Sequence, residues 1–218
     1  MGKRRLEDAL KQINQHVDVV YRCYELDPTA EREINYNIYE KLAQKYGMSI
    51  QQAKANVNQM VQMAQDAGLD YKMDTLILTN TFDAHRLVMF AKTKGLMHEM
   101  TNRILQAYYT ESKHIGDHDT LTKLAVEVGL DRIEVADLLA SDQMSDAVRN
   151  DEQEAAQLGI RSIPFFLINK KYAITGAQSV EVFVQSLNQI IEQDGPFINV
   201  TDQGGVVCDD NGCEIPKK

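Results

Sequence analysis

Cysteine is scarce in this chain, with three in 218 residues. That is too few for the disulfide scaffold of a small secreted domain, and an odd count leaves one thiol without an internal partner, so any redox role must come from particular cysteines. Long apolar runs are missing as well. No stretch approaches the roughly 18 residues needed to span a bilayer, and the first residues lack the apolar core of a signal peptide, so the expected location is the cytoplasm with no membrane partner. Positive charge is in deficit. A formal net charge of −9 and a pI near 5.0, with no basic stripe or nucleic-acid motif to offset them, argue against a nucleic-acid partner. Lys3, Arg4 and Arg5 cluster, but Glu7 and Asp8 follow directly, the pattern of a solvated helix face. Internal repeats and low-complexity segments are absent.

What is present is enough apolar content, 44%, to bury a real core. The organising stretch is Gly159 to Phe166, G-I-R-S-I-P-F-F. Gly159 stops a helix, and Pro164 opens the apolar run Phe165 to Ile168, where a missing N–H costs the least because Pro belongs at the first position of a strand. A second strand, Tyr172 to Thr175, follows Asn169-Lys170-Lys171. Gly176-Ala177-Gln178-Ser179 then leads into a helix whose Val180, Phe183, Val184, Leu187, Ile190 and Ile191 share one face.

Earlier in the chain, Leu6, Ala9, Leu10 and Ile13 define a helical face over residues 2–13, and the alternation of His16 to Leu26 predicts a strand closed by Asp27-Pro28. From Thr29 to Leu158 the pattern is almost wholly helical, with stops at Gly47, Gly68, Gly95, Gly129 and Gly159. Ser49 with Gln52 fits a capping box, Asp131 with Glu134 an acidic analogue, and Asn80 or Thr81 caps the helix carrying His85. The one extended piece there is Thr75 to Thr79.

Helix, Pro-led strand, hairpin, strand and helix is the order of the second half of a thioredoxin fold, and Leu158 to Gln178 resembles the FrnE branch of the DsbA family. The resemblance extends through N-T-F-D-A-H-R-L at Asn80 to Leu87, A-Y-Y-T-E at Ala107 to Glu111 and I-G-D-H-D-T-L at Ile115 to Leu121, spanning nearly the whole chain. It implies an α/β, thioredoxin-like fold with a large helical insertion: residues 1–28 and 159–193 as the thioredoxin-like domain, 29–158 as the insertion, and 194–218 as a polar tail. In that family the residue matching Pro164 is cis, and the backbone at Ile163 faces the catalytic cysteines and pairs with extended substrate. The family's first strand ends in C-P-x-C-Y and runs into G-K-R-R-L-E, which here is Gly2 to Glu7. The sequence thus opens just after the place of the first strand and its C-x-x-C. An internal methionine taken as the start, a shortened paralogue and a trimmed chain each account for this, and the ordinary family position of Met1 favours the first.

The activity implied is that of a thiol–disulfide oxidoreductase or isomerase acting on protein or small-molecule thiols, without a bound cofactor. A glutathione-linked transferase or isomerase of the kappa type, in which a serine replaces the first cysteine, is the alternative within the superfamily, and a non-catalytic peptide-binding relative is a third. A homodimer is compatible with each. Ile163 and Pro164 are the expected substrate-docking residues. Cys208 and Cys213, as C-D-D-N-G-C, flank an Asn-Gly turn signal and read either as an auxiliary redox pair or as two reduced tail thiols; zinc is disfavoured because a structural site takes four ligands. Cys23 reads as a small buried hydrophobe. His114 and His118 read as solvated loop histidines, His85 as a core or capping residue or a border of the substrate groove, and Met60, Met63, Met73, Met89, Met97 and Met100 as helical core or as an adaptable peptide surface.

Overall fold

The computed structural model describes residues 1–194, together with the backbone of residues 208, 209, 212 and 213. Its first helix, α1 (Gly2–Leu10), begins without a side-chain cap and has no acidic residue in its first turn. It packs on the last long helix, α9 (Val180–Asp194). The hairpin of β1 (Phe165–Ile168) and β2 (Tyr172–Thr175) joins them, paired Phe165 to Thr175, Phe166 to Ile174, Leu167 to Ala173 and Ile168 to Tyr172. Asn169 and Lys170 both take positive φ at the turn, 52° and 55°, the twist that two-residue hairpin loops require. Ala9, Ile174 and Phe183 form the buried centre of this unit, with Leu6, Phe166, Ile168, Val180 and Val184 around it.

The expected strand at His16 to Leu26 does not form. The segment is irregular, and Val20 and Leu26 are exposed. A strand needs a ladder partner, and among the described residues β1 and β2 pair only with each other. Its backbone is instead bonded to a helix: Asp151 accepts from the Cys23 amide at 2.8 Å and from Arg22, and Glu152 accepts from the Glu25 amide at 3.2 Å. We call residues 21–26 the strap.

The insertion comprises α2 (Ile38–Tyr46), α3 (Ile50–Asp66), a short 3₁₀ turn at Met73–Thr75, α4 (Phe82–Thr93), α5 (Met97–Tyr109), α6 (His118–Glu127), α7 (Arg132–Ala140) and α8 (Ser145–Gln157). All five glycines expected to stop helices have positive φ, where an L side chain would be strained. The Ser49–Gln52 capping box forms, Asp131 caps α7, and at the head of α4 it is Asn80, not Thr81, that accepts from the Phe82 amide at 2.8 Å. Thr75 to Thr79 carries no ladder; Leu76 and Leu78 point into a core with Tyr39, Ala53, Val57 and Met73. The larger core joins α4 to α7 around Leu87, Met100, Leu121, Val135 and Leu138. Met73, Met89 and Met100 are buried and only Met63 is well exposed, so the methionines serve mainly as core. No helix among the described residues is long and apolar enough to cross a membrane.

Candidate active site

The Pro164 turn meets the first turn of α1. A Cβ placed on Gly2 would lie 2.7 Å from Pro164 Cγ and 3.3 Å from Phe166 Cζ, so only a residue without a side chain lets the helix come this close. The Ile163–Pro164 peptide bond is cis. The Pro164 carbonyl accepts from the Gly176 amide at 2.9 Å, extending the hairpin by one rung, and Ile163 before it is 43% exposed. Arg5 fixes the far side by donating to the carbonyls of Ala177 at 2.6 Å and Gln178 at 3.4 Å. Together these leave an exposed apolar residue just ahead of β1, next to the proline that packs on an uncapped helix start.

Electrostatically this corner is positive in a negative protein. Burial lowers the Met1 amine, and Arg5, Arg4 and Lys3 lower it further; three cations at the positive end of a helix dipole favour an anion there. From the insertion, Tyr71 reaches over the same turn and its hydroxyl accepts from the Met1 amine at 2.9 Å. Tyr71 stacks on Tyr109 with centroids 4.7 Å apart, and Tyr108 meets Tyr109 edge-on at 4.9 Å. Burial pushes the Tyr71 phenol up to about 12 and raises Tyr108 and Tyr109 too. Nothing in the sequence singles out Tyr71, because an isolated tyrosine after a glycine turn carries no pattern; Tyr108-Tyr109 lies inside a family-like stretch.

The family model of the DSBA-like thioredoxin domain matches residues 1–188. The chain belongs to this family. It is similar over 99% of its length to a probable DsbA oxidoreductase from Streptomyces coelicolor, at 35% identity and a TM-score of 0.87, covering 93% of that chain. A putative protein disulfide isomerase from Nitrosomonas europaea shares the fold at 17% identity and a TM-score of 0.56, over 72% of this chain and 90% of that one. An uncharacterized Bacillus subtilis protein, YwbO, is 28% identical over 190 residues, 86% of this chain and 88% of its own length.

The other marked residues divide between scaffold and tail. Cys23 is 2% exposed, and burial, helped by Asp151 and Glu152, pushes its thiol up to about 12, which makes it inert as a nucleophile. The Cys23 thiol in the strap donates to the His85 carbonyl, and burial lowers the His85 imidazole. The expectation of solvated loop histidines is corrected: His118 is the first residue of α6 and pairs with Asp83 at 2.7 Å, and the largely buried His114 bonds the Arg32 carbonyl at 3.1 Å. Asp83 also holds Arg86, which is 4% exposed and donates to the carbonyls of Leu138, Ser141 and Gln143. The N-T-F-D-A-H-R-L stretch is therefore a clasp that closes α7 and the loop at Arg32, with Asn80 bonding the Ala30 carbonyl. Gly116 belongs to it, since a Cβ there would strike Thr79, His114 and Arg32.

Of the tail pair, the backbone is described and the side chains lie outside the described residues. A short ladder of β3 (Cys208–Asp209) and β4 (Gly212–Cys213) sets Cys208 opposite Cys213.

Proposed function

We propose that this protein is a thiol–disulfide oxidoreductase or isomerase of the FrnE type that acts on protein thiols. The observation that carries the reading is the seating of Pro164 against Gly2, with Ile163 exposed beside the start of α1. An extended substrate segment adds to the Ile163 backbone, and the cationic first turn of α1 favours its sulfur as thiolate. Similarity at 35% identity to the S. coelicolor protein, a probable DsbA oxidoreductase, supports the same reading.

Within this reading Cys208 and Cys213 are an auxiliary dithiol, and no C-x-x-C occurs within the 218 residues. Directly opposite residues of an antiparallel pair stand roughly 4.5–5.5 Å apart at Cα, within the span a disulfide bridges. One tail thiolate attacks a substrate disulfide, forming a mixed disulfide and releasing one substrate thiolate. The second tail cysteine then attacks that mixed disulfide, releasing the other substrate thiolate and closing Cys208–Cys213; the substrate gains two electrons and the tail loses two. A small thiol of the glutathione class restores the dithiol. The low cysteine count suits the reducing cytoplasm, which is the compartment we assign.

The test is reduction of insulin by dithiothreitol, followed by turbidity. Wild type is expected to accelerate it, the Cys208→Ser, Cys213→Ser double variant to fall to the uncatalysed rate, and Ile163→Asp to raise KM with little change in kcat. A wild-type rate equal to background overturns the proposal. A double variant as active as wild type overturns the role of the tail pair.

A further inference from the structure

The strap is tied to α8 by charged groups, and the ties are uneven. We propose that residues 21–26 form a latch that closes over the Cys23 thiol as pH falls and opens as pH rises, with Glu25 as its sensor.

The arrangement of carboxylates carries this. Asp151 and Glu152 of α8 each accept a strap amide, from Cys23 and Glu25 respectively. The Glu25 carboxylate has no such donor. Its side chain is 1% exposed, its Oε2 accepts from Arg149 at 2.7 Å, and among the described residues its buried Oε1 has no hydrogen-bond partner. The same Arg149 nitrogen donates to Glu152 at 2.6 Å, and the guanidinium is held 4.1 Å from the centre of the Phe82 ring of α4. Two carboxylates therefore meet on a single nitrogen, and the more buried one keeps an unsatisfied oxygen, which is costly for an ionised group. A proton on Glu25 removes one of the two like charges and turns that carboxyl into a donor toward Glu152. Every group in this cluster lies between residues 22 and 154.

Burial raises the Glu25 carboxyl; Arg149 opposes this, Glu152 adds to it, and the group stays above its ordinary value. An acid raised in this way contributes to closure in full below its ordinary value, about 4.3 for glutamate, and loses that contribution as pH rises through the folded value. The other charged groups around the strap are Arg22, paired with Asp151 and Glu154, and Lys92 and His85 of α4. His85 acts in the opposite sense. Burial lowers its imidazole, so it favours closure above its ordinary value, about 6.5, and loses this as pH falls. The share of Glu25 is therefore read by difference between proteins that both keep His85. What the latch governs is a thiol: closed, Cys23 is 2% exposed with its sulfur bonded to the His85 carbonyl, and open, it is available to disulfides.

The test uses a parent chain carrying Cys208→Ser and Cys213→Ser, which leaves Cys23 as the one thiol. Its labelling by a pyridyl disulfide is followed from pH 5 to 8 and divided by the rate for the free peptide Y-R-C-Y-E-L, which removes the thiol's own pH dependence. Glu25→Gln, the isostere of the protonated form, should protect Cys23 as well as the parent does at pH 5 and several-fold better at pH 8. Glu154→Gln, which changes a half-exposed carboxylate of the same helix, should follow the parent throughout. Glu25→Gln labelling that parallels the parent at every pH, or that exceeds it at pH 5, overturns Glu25 as the sensor, and so does the same divergence in Glu154→Gln. Urea unfolding of each protein at both pH values separates the strap from the whole: labelling faster than global unfolding allows supports the latch, and labelling no faster than that overturns it.

Discussion

The two halves of this molecule are held together by different means. Around α4 to α7 many side chains are fully buried on several helices at once, and buried polar groups lock the ends: Arg86 alone reaches three carbonyls and Asp83. Around the hairpin, Ala9, Ile174 and Phe183 form a smaller buried cluster, with Leu187 and Ile190 also buried on α9, and the Phe166–Phe183 edge contact at 4.8 Å joins sheet to helix. The half bearing the Pro164 corner thus has the smaller core cluster.

The sharpest way to break this contrast is Phe183→Ala. Emptying the centre of a small core should cost about 4 kcal/mol, and hydrogen exchange should show lost protection in α1, the hairpin and α9 while α4 to α7 hold theirs. Equal loss in both halves would mean they fold as one unit. Arg86→Met attacks the other half: stripping the carbonyls of Leu138, Ser141 and Gln143 of their donor and leaving Asp83 short of a partner should cost about 3 kcal/mol in urea unfolding, with protection lost first in α7.

The same clasp gives a pH signature. Burial raises the Asp83 carboxyl, but hydrogen bonds from His118 and Arg86 outweigh it and hold the group below its usual value. A depressed carboxylate contributes stability that is present above the unfolded value, about 3.9, and is lost as pH falls through the folded one. Acid titration of wild type should therefore show this loss below about pH 4, and Asp83→Asn should flatten it. The smallest effect is expected from Asn80→Ala, which removes the cap of α4 and a bond to Ala30 for about 1 kcal/mol, read as a small shift in the urea midpoint with no change at the hairpin.

Local signals in the sequence carry far. The glycine stops, the Ser49–Gln52 box and the hairpin strands at Phe165–Ile168 and Tyr172–Thr175 all depend on neighbours within a few residues, and all stand in the structure. The strand at His16 to Leu26 fails for the opposite reason. Its alternation is real, since Cys23 and Glu25 are buried and Arg22 and Leu26 are not, but a ladder needs a second strand alongside, and alternation cannot supply one. Carboxylates from α8, more than 120 residues away, take the backbone bonds instead. The surroundings of His114 and His118 escape the sequence in the same way, because Arg32 and Asp83 are near them only in space.

By itself, then, the sequence determined what chain-local chemistry can determine: where helices start and stop, where proline opens a strand, which turn closes the hairpin, and through family-like stretches the thioredoxin-type order of elements. Only the tertiary structure decided that Gly2 lies on Pro164, that Tyr71 crosses from the insertion to the first turn of α1, and that Asp83 and Arg86 pair their charges inside the scaffold. The physical reason is range. Capping and turn preferences act over a few residues, whereas close packing and the pairing of buried charges are settled by whatever distant groups the fold brings within a few ångströms.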